Sequence, residues 1–303
     1  MHESQTVQFF LDEEMKASAE AGKHPFIAKL VDVLESAGLR SVFRQNSVEN
    51  RLASARFDGY ALFHMDDPLH ERALTIRRNL YYPFWQIERS AKRWEWRVAM
   101  AEFDPEQVPQ EEAVQFYRRW RKRLFGAPDV TREGFVYVPL QGRILERRSF
   151  QTASPVDMIE AVLAHDPKRL VIAGLHPKES YSAEELGALE VLAHAHPRLS
   201  LRRGEMEDLL ARCDYVVSEN SSVAFAAHFF KKPSVLFAQI DFHHRALNVA
   251  DIGAREAITC APDWSVAHAA YVWWFLQHMS INASLDTAPD KIRATLRRYG
   301  WPV

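Results

Sequence analysis

The chain is poor in cysteine: Cys213 and Cys260 are the only two among 303 residues. A pair so spaced builds neither a disulfide framework nor a metal or redox motif, so a reducing cytoplasm is the expected setting. Net charge is also nearly absent, with 38 Lys and Arg against 40 Asp and Glu. That balance makes no case for a nucleic-acid partner. Long apolar runs are missing too. The richest segment, Val266 to Ile281, is interrupted by His268, Gln277 and His278 and is too short to span a bilayer. Met1 to Asp12 lacks the basic start and apolar run of a signal peptide. Neither solenoid repeats nor low-complexity segments occur. What remains is a globular composition, 47% hydrophobic and 26% charged, long enough for two domains.

The most regular stretch runs from Phe135 to Gln239. Phe135 to Leu140, Leu170 to Leu175, Leu199 to Leu201, Asp214 to Ser218 and Pro233 to Ala238 read as strands. Between them lie helices from Ser154-Pro155 to about Ala164, Ala183 to Ala195, Glu205 to Ala211 and Ser222 to Phe230, with Ser154 and Ser182 as N-caps. This alternation predicts a parallel sheet covered on both faces. Two chemical marks follow strands: His176-Pro177-Lys178 and Asn220-Ser221-Ser222. Ligands of such sheets sit outside the carboxyl ends of the strands. Backbone N–H groups and hydroxyls at Asn220-Ser221-Ser222, with His176 and Lys178, would suit a phosphate. Each mark also has a bland reading, as a helix cap, a strand end and a solvated turn.

The N-terminal half reads as a second, less regular α/β domain. Thr6 to Leu11, Ser41 to Arg44 and Tyr60 to Met65 are expected strands, with a helix from Pro25 to Ala37 stopped at Gly38. Acidic residues follow two of these strands: Asp12-Glu13-Glu14 and Asp66-Asp67. Glu13 and Asp66 are candidate bases for activating a hydroxyl; a solvated loop and a turn are the alternatives. The stretch Glu71 to Ala101 is dense in arginine and aromatics, which either grip an acidic saccharide or fill and rim a core. A basic helix is expected over Ala113 to Phe125, either touching anionic lipid or simply solvated. Gly126-Ala127-Pro128-Asp129 is the linker candidate. The expected domains are therefore 1–128 and 129–260. Residues 261–303 would form terminal helices, including a long one from Pro262 to Ile281 and another from Pro289 to Tyr299.

Several of these stretches also carry a family resemblance. Val138-Pro139-Leu140-Gln141, Ser154-Pro155, His176-Pro177-Lys178, Ser218-Glu219-Asn220-Ser221-Ser222-Val223 and Lys232-Pro233-Ser234-Val235 occur in that order. Together they resemble the bacterial capsule polysaccharide proteins that transfer Kdo, and the His-Pro and Ser-Ser marks resemble bacterial sialyltransferases. The resemblance covers roughly residues 135 to 250. It implies two Rossmann-like domains facing a cleft, the GT-B type, with the terminal helices crossing back onto the first domain. It implies transfer of a sugar from a nucleotide-activated donor, CMP-Kdo or similar, to a growing surface polysaccharide. Gln141, His176, Lys178, Asn220, Ser221 and Ser222 would bind the nucleotide, and His176 would also act in catalysis with Glu13 or Asp66. The partners would be the nucleotide sugar, a saccharide or glycolipid acceptor and a peripheral contact with the inner membrane; no cofactor or metal is called for. Where relatives continue the Gln-bearing loop with acidic residues, this chain has Gly142-Arg143-Ile144-Leu145-Glu146. A UDP-sugar transferase or epimerase, and a non-catalytic nucleotide-sugar or glycan-binding protein of an assembly complex, stay open.

Overall fold

The structure, a computed structural model, describes residues 5–303. The chain forms two compact units. One runs through Ala101 and takes up Trp274–Val303; the other is Glu102–Trp273.

In the first unit, β1 (Thr6–Leu11), β2 (Arg40–Gln45), β3 (Tyr60–His64) and β4 (Ala73–Arg78) are parallel, and β5 (Phe84–Glu88) is antiparallel to β4. A short antiparallel strand, Ile281–Asn282, closes the sheet beside β5. The parallel part has the order β2-β1-β3-β4. Progression therefore reverses between β1 and β3, where a doubly wound sheet opens a crevice at its carboxyl edge. Val7, Phe9 and Leu11 alternate onto one face and pack on Phe26, Leu30 and Leu34 of the helix Pro25–Ser36 and on Ile292 and Leu296 of the helix Ala288–Arg298. Phe26 stacks flat on Trp85, with ring centroids 4.5 Å apart. Three aromatics of the Arg-rich stretch thus fill a core, while Tyr82 is exposed. Phe84, Trp85 and Trp96 are buried.

In the second unit, β6 (Phe135–Leu140), β7 (Leu170–Leu175), β8 (Leu199–Arg203), β9 (Tyr215–Ser218), β10 (Ser234–Leu236) and β11 (Leu247–Asn248) are all parallel, in the order β8-β7-β6-β9-β10-β11. This is the dinucleotide-fold order, and its reversal lies between β6 and β9. One core cluster joins Val136, Val138 and Leu140 to the helices Pro155–His165, Ala183–Ala195 and Ala254–Cys260. An aromatic layer lies elsewhere in this unit: Tyr117 stacks on Phe229 at 5.7 Å, Phe125 meets Phe230 at 5.0 Å, and Phe225 meets Tyr271 at 6.1 Å.

Three expectations are corrected. The acidic run after β1 is no loop: Asp12 caps the helix Glu13–Glu20, whose first turn takes the two glutamates. Acids stabilise a helix start, so the run is a start signal. The expected linker lies inside the second unit. Gly126, at φ 66°, stops the helix Gln110–Phe125, whose Tyr117 hydroxyl donates to His228 O at 2.9 Å. Finally, the expected helix from Pro262 to Ile281 is broken into a 3-10 turn, the helix His268–Trp273 and the π turn Trp274–His278 before the strand at Ile281–Asn282.

Glycine has a specific role at Gly174 in β7, because a Cβ there would meet the buried Tyr137 ring at 2.7 Å. Gly187, inside the helix Ala183–Ala195, has open space instead. Urea unfolding should show Gly174→Ala losing about 1–3 kcal/mol through overpacking. Gly187→Ala should gain roughly 0.5–1 kcal/mol from helix propensity.

Candidate active site

The second unit brings most of the candidate residues to one edge of its sheet. Leu140 pairs with Leu175, so Gln141 and His176 leave β6 and β7 at the same level. Tyr137 pairs with Val216 on the other side, so Ser218-Glu219-Asn220 leaves β9 at nearly that level too. Three neighbouring strands, two of them flanking the reversal, therefore present Gln141, His176 and Asn220 together.

Each side chain is held by local structure. Tyr181 Oη accepts the His176 N–H at 2.9 Å and donates to Leu140 O at 3.4 Å, tying the ends of β6 and β7 together. His176 is exposed, and its Nδ1 accepts the Lys178 N–H at 3.2 Å. That bond leaves the proton of the neutral ring on Nε2, which becomes a donor. Lys178 is exposed. The Gln141 loop is fixed by Glu185, whose two oxygens accept the Ile144 N–H at 2.7 Å and the Ser182 N–H at 2.8 Å. Ser221 is spent on structure: its hydroxyl accepts the Val223 N–H at 3.3 Å as an N-cap, and its own N–H donates to Ser218 Oγ. Ser222 opens the helix Ser222–Ala226 and is exposed.

Glu219 is the residue that sequence reasoning passed over. It is 5% exposed, at the reversal point, and among the described residues neither carboxyl oxygen has a hydrogen-bond partner. The Gln151 side chain lies beside it outside hydrogen-bonding geometry, its Nε2 also unpartnered. Burial pushes the Glu219 carboxyl up to about 8, against the weaker downward pull of Arg148. At neutral pH it is a carboxylic acid, able to donate its proton in a hydrogen bond. The exposed donors of this edge are His176 Nε2–H, the Ser222 hydroxyl and the Lys178 ammonium, and the neutral Glu219 carboxyl is buried among them. Such an edge suits phosphate or sugar oxygens.

The two candidate carboxylates lie in the first unit. Asp66 is paired with Arg51 and accepts Asn46 Nδ2 at 2.7 Å. Glu13 is exposed in the first turn of its helix. Among the described residues no group of His, Cys, Asp and Glu is placed to hold a metal ion, and no helix is long and apolar enough to cross a membrane.

The fold has solved counterparts. KpsC, beta Kdo 2,7 transferase, of Thermosulfurimonas dismutans aligns with TM-score 0.55 over 98% of this chain and 100% of that one, at 12% identity. The KpsC beta Kdo 2,4 transferase of the same organism gives 0.48 over 89% and 90%, also at 12% identity. WaaG, a glycosyltransferase involved in lipopolysaccharide biosynthesis, gives 0.39 over 94% and 99%, at 10% identity. This chain has the α/β fold of the first of these: two Rossmann-like units of the GT-B type. No protein-family model matches the sequence, and no curated protein sequence does.

Glu219 also sets a pH dependence. Its folded-state carboxyl keeps a proton that the unfolded one, at 4.5, releases. Stability from this group is full below that value and is lost as pH rises towards about 8, by up to about 1.4 kcal/mol per pH unit. In Glu219→Gln, which mimics the neutral acid, urea unfolding between pH 5 and 8 should lose that downward slope. An unchanged slope would place the proton elsewhere.

Proposed function

We propose that this chain is a glycosyltransferase that moves a sugar from a nucleotide-activated donor, CMP-Kdo or similar, to a growing bacterial surface polysaccharide. One observation carries the reading: Gln141, His176 and Ser218 to Ser222 converge on the carboxyl edge of the second unit's sheet, at and beside its strand reversal. The fold shared with a Kdo transferase supports it. In this reading Gln141, Asn220 and Ser222 hold the nucleotide's phosphate and ribose oxygens. The Ser221 hydroxyl keeps the helix start in place beneath them. Glu219, buried and uncharged, puts no negative charge beside the phosphate.

The bond from the anomeric carbon to the phosphate breaks with its electron pair going to phosphate oxygen. His176 Nε2–H and the Lys178 ammonium compensate that growing charge, which is where preorganised donors act most strongly. The first unit supplies the acceptor side and the base. Peripheral contact with the inner membrane would use the exposed face of the helix Gln110–Phe125, at Arg118, Arg119, Lys122 and Arg123.

Two measurements test this. In a thermal-shift series with CMP, CDP, UDP, GDP and ADP at millimolar concentration, CMP or CDP should raise the melting temperature, because a ligand bound only to the native state stabilises it. A response to UDP alone would favour a UDP-sugar transferase or epimerase, and no response would remove the donor site. His176→Ala should lower turnover by about 10²–10³, as loss of one such donor does. Its melting temperature should hardly move, since the ring is exposed. Lost stability with normal activity per folded molecule would defeat the catalytic role.

A further inference from the structure

The first unit has its own strand reversal, between β1 and β3, and a pair of side chains sits there. Phe10 pairs with Phe63, so Leu11 is level with His64, the last residue of β3, and Asp12 comes next. Asp12 uses its two oxygens separately. Oδ1 accepts the Met15 N–H at 2.9 Å as the helix cap, and Oδ2 meets His64 Nδ1 at 3.0 Å. The His64 backbone is held as well, its carbonyl accepting Asn46 Nδ2 at 3.2 Å. The imidazole is 12% exposed, and among the described residues nothing hydrogen-bonds its Nε2. A carboxylate facing Nδ1 keeps the proton of the neutral ring there and leaves Nε2 as a bare lone pair. That is the arrangement a general base needs.

We propose that His64, oriented by Asp12, is the base that takes the proton from the attacking acceptor hydroxyl. This deepens the glycosyltransferase reading and rests on it. The hydroxyl proton moves to Nε2 as its oxygen bonds to the anomeric carbon, and the nucleotide leaves with the electron pair. Asp12 stabilises the resulting imidazolium, which returns the proton to solvent. Asp66 is committed to Arg51 and Asn46, whereas the His64 ring presents a free acceptor.

Burial keeps the ring in its basic form. Burial lowers its proton affinity most; Asp12 raises it, and Arg77 and Arg78, at the end of β4, lower it again. His24, capping the helix Pro25–Ser36, is also within electrostatic reach. The net direction is below the ordinary 6.5, so activity should hold across neutral pH and fall only as pH drops through that lowered value.

The test uses the ¹⁵N-labelled full chain with His64→Gln and Asp12→Asn. Long-range nitrogen–proton spectra at pH 7.5 should show the wild-type His64 proton on Nδ1. In Asp12→Asn the cap keeps Oδ1 on Met15, so the amide N–H faces the ring and moves its proton to Nε2. With CMP-Kdo and a Kdo-terminated oligosaccharide, both variants should lose about 10²–10⁴ in kcat. Both should keep the thermal shift with CMP. A wild-type proton on Nε2, or His64→Gln at wild-type turnover, would overturn the proposal. The tautomer needs no substrate, so it can overturn the dyad by itself. A wild-type chain showing neither nucleotide shift nor transfer would sink the transferase reading instead.

Discussion

A parallel sheet opens a crevice outside the carboxyl ends of two neighbouring strands wherever the order of addition reverses. Helices on either side of the reversal pack on opposite faces of the sheet, so nothing fills the gap between the two strand ends. Both units have one such point, between β1 and β3 and between β6 and β9. The chemically notable side chains gather at these two points: Asp12 and His64 at the first, Gln141 and Glu219 at the second, with His176 one strand further out. The strands at the two reversals are almost wholly buried. The level at which each side chain leaves its strand is fixed by a packed core and not by the loop it enters.

The two edges differ in electrostatic character. The second unit's edge offers donors and keeps its one central carboxyl neutral by burial. A charged glutamate there would face no partner and would repel a phosphate; the neutral acid does neither. The first unit's edge sets the Asp12 carboxyl, a helix cap, against a histidine whose proton affinity burial lowers. In the proposed reaction one edge holds the negative charge of the nucleotide and the other accepts the hydroxyl proton. Sugar transfer from a nucleotide needs both functions.

Much of this was legible in the residue pattern. Thr6–Leu11, Phe135–Leu140 and Leu170–Leu175 have the bounds that their apolar runs suggest, because strands buried on both faces read as continuous runs. The Kdo-transferase fold could be reached through a resemblance of ordered marks, although identity to the solved counterpart is only 12%. The strands β4 and β5 were hidden, since Gln86 and Glu88 look out of place in a buried strand. Their partners come from far along the chain: Gln86 donates to Met279 O at 3.1 Å, and Tyr299 donates to Glu88 at 2.6 Å. The break near Trp274 was hidden for a related reason. The segment is apolar enough to be one helix, but it leaves the second unit there and enters the first. At the site, His176, Asn220 and Ser222 could be found because polar residues followed apolar strands. Glu219 looked like one more polar residue in that run, and only its burial sets it apart. His64 was overlooked because its partner, Asp12, lies 52 positions away, and local spacing carries no trace of such a pair.

The central claim is that the nucleotide sits at the reversal of the second unit's sheet. Hydrogen–deuterium exchange of the full chain with and without CMP addresses it directly. Protection should concentrate in peptides covering residues 141–145, 176–180 and 218–224, three segments far apart in sequence and adjacent at the strand ends. Protection confined to other parts of the chain under saturating CMP would contradict the account.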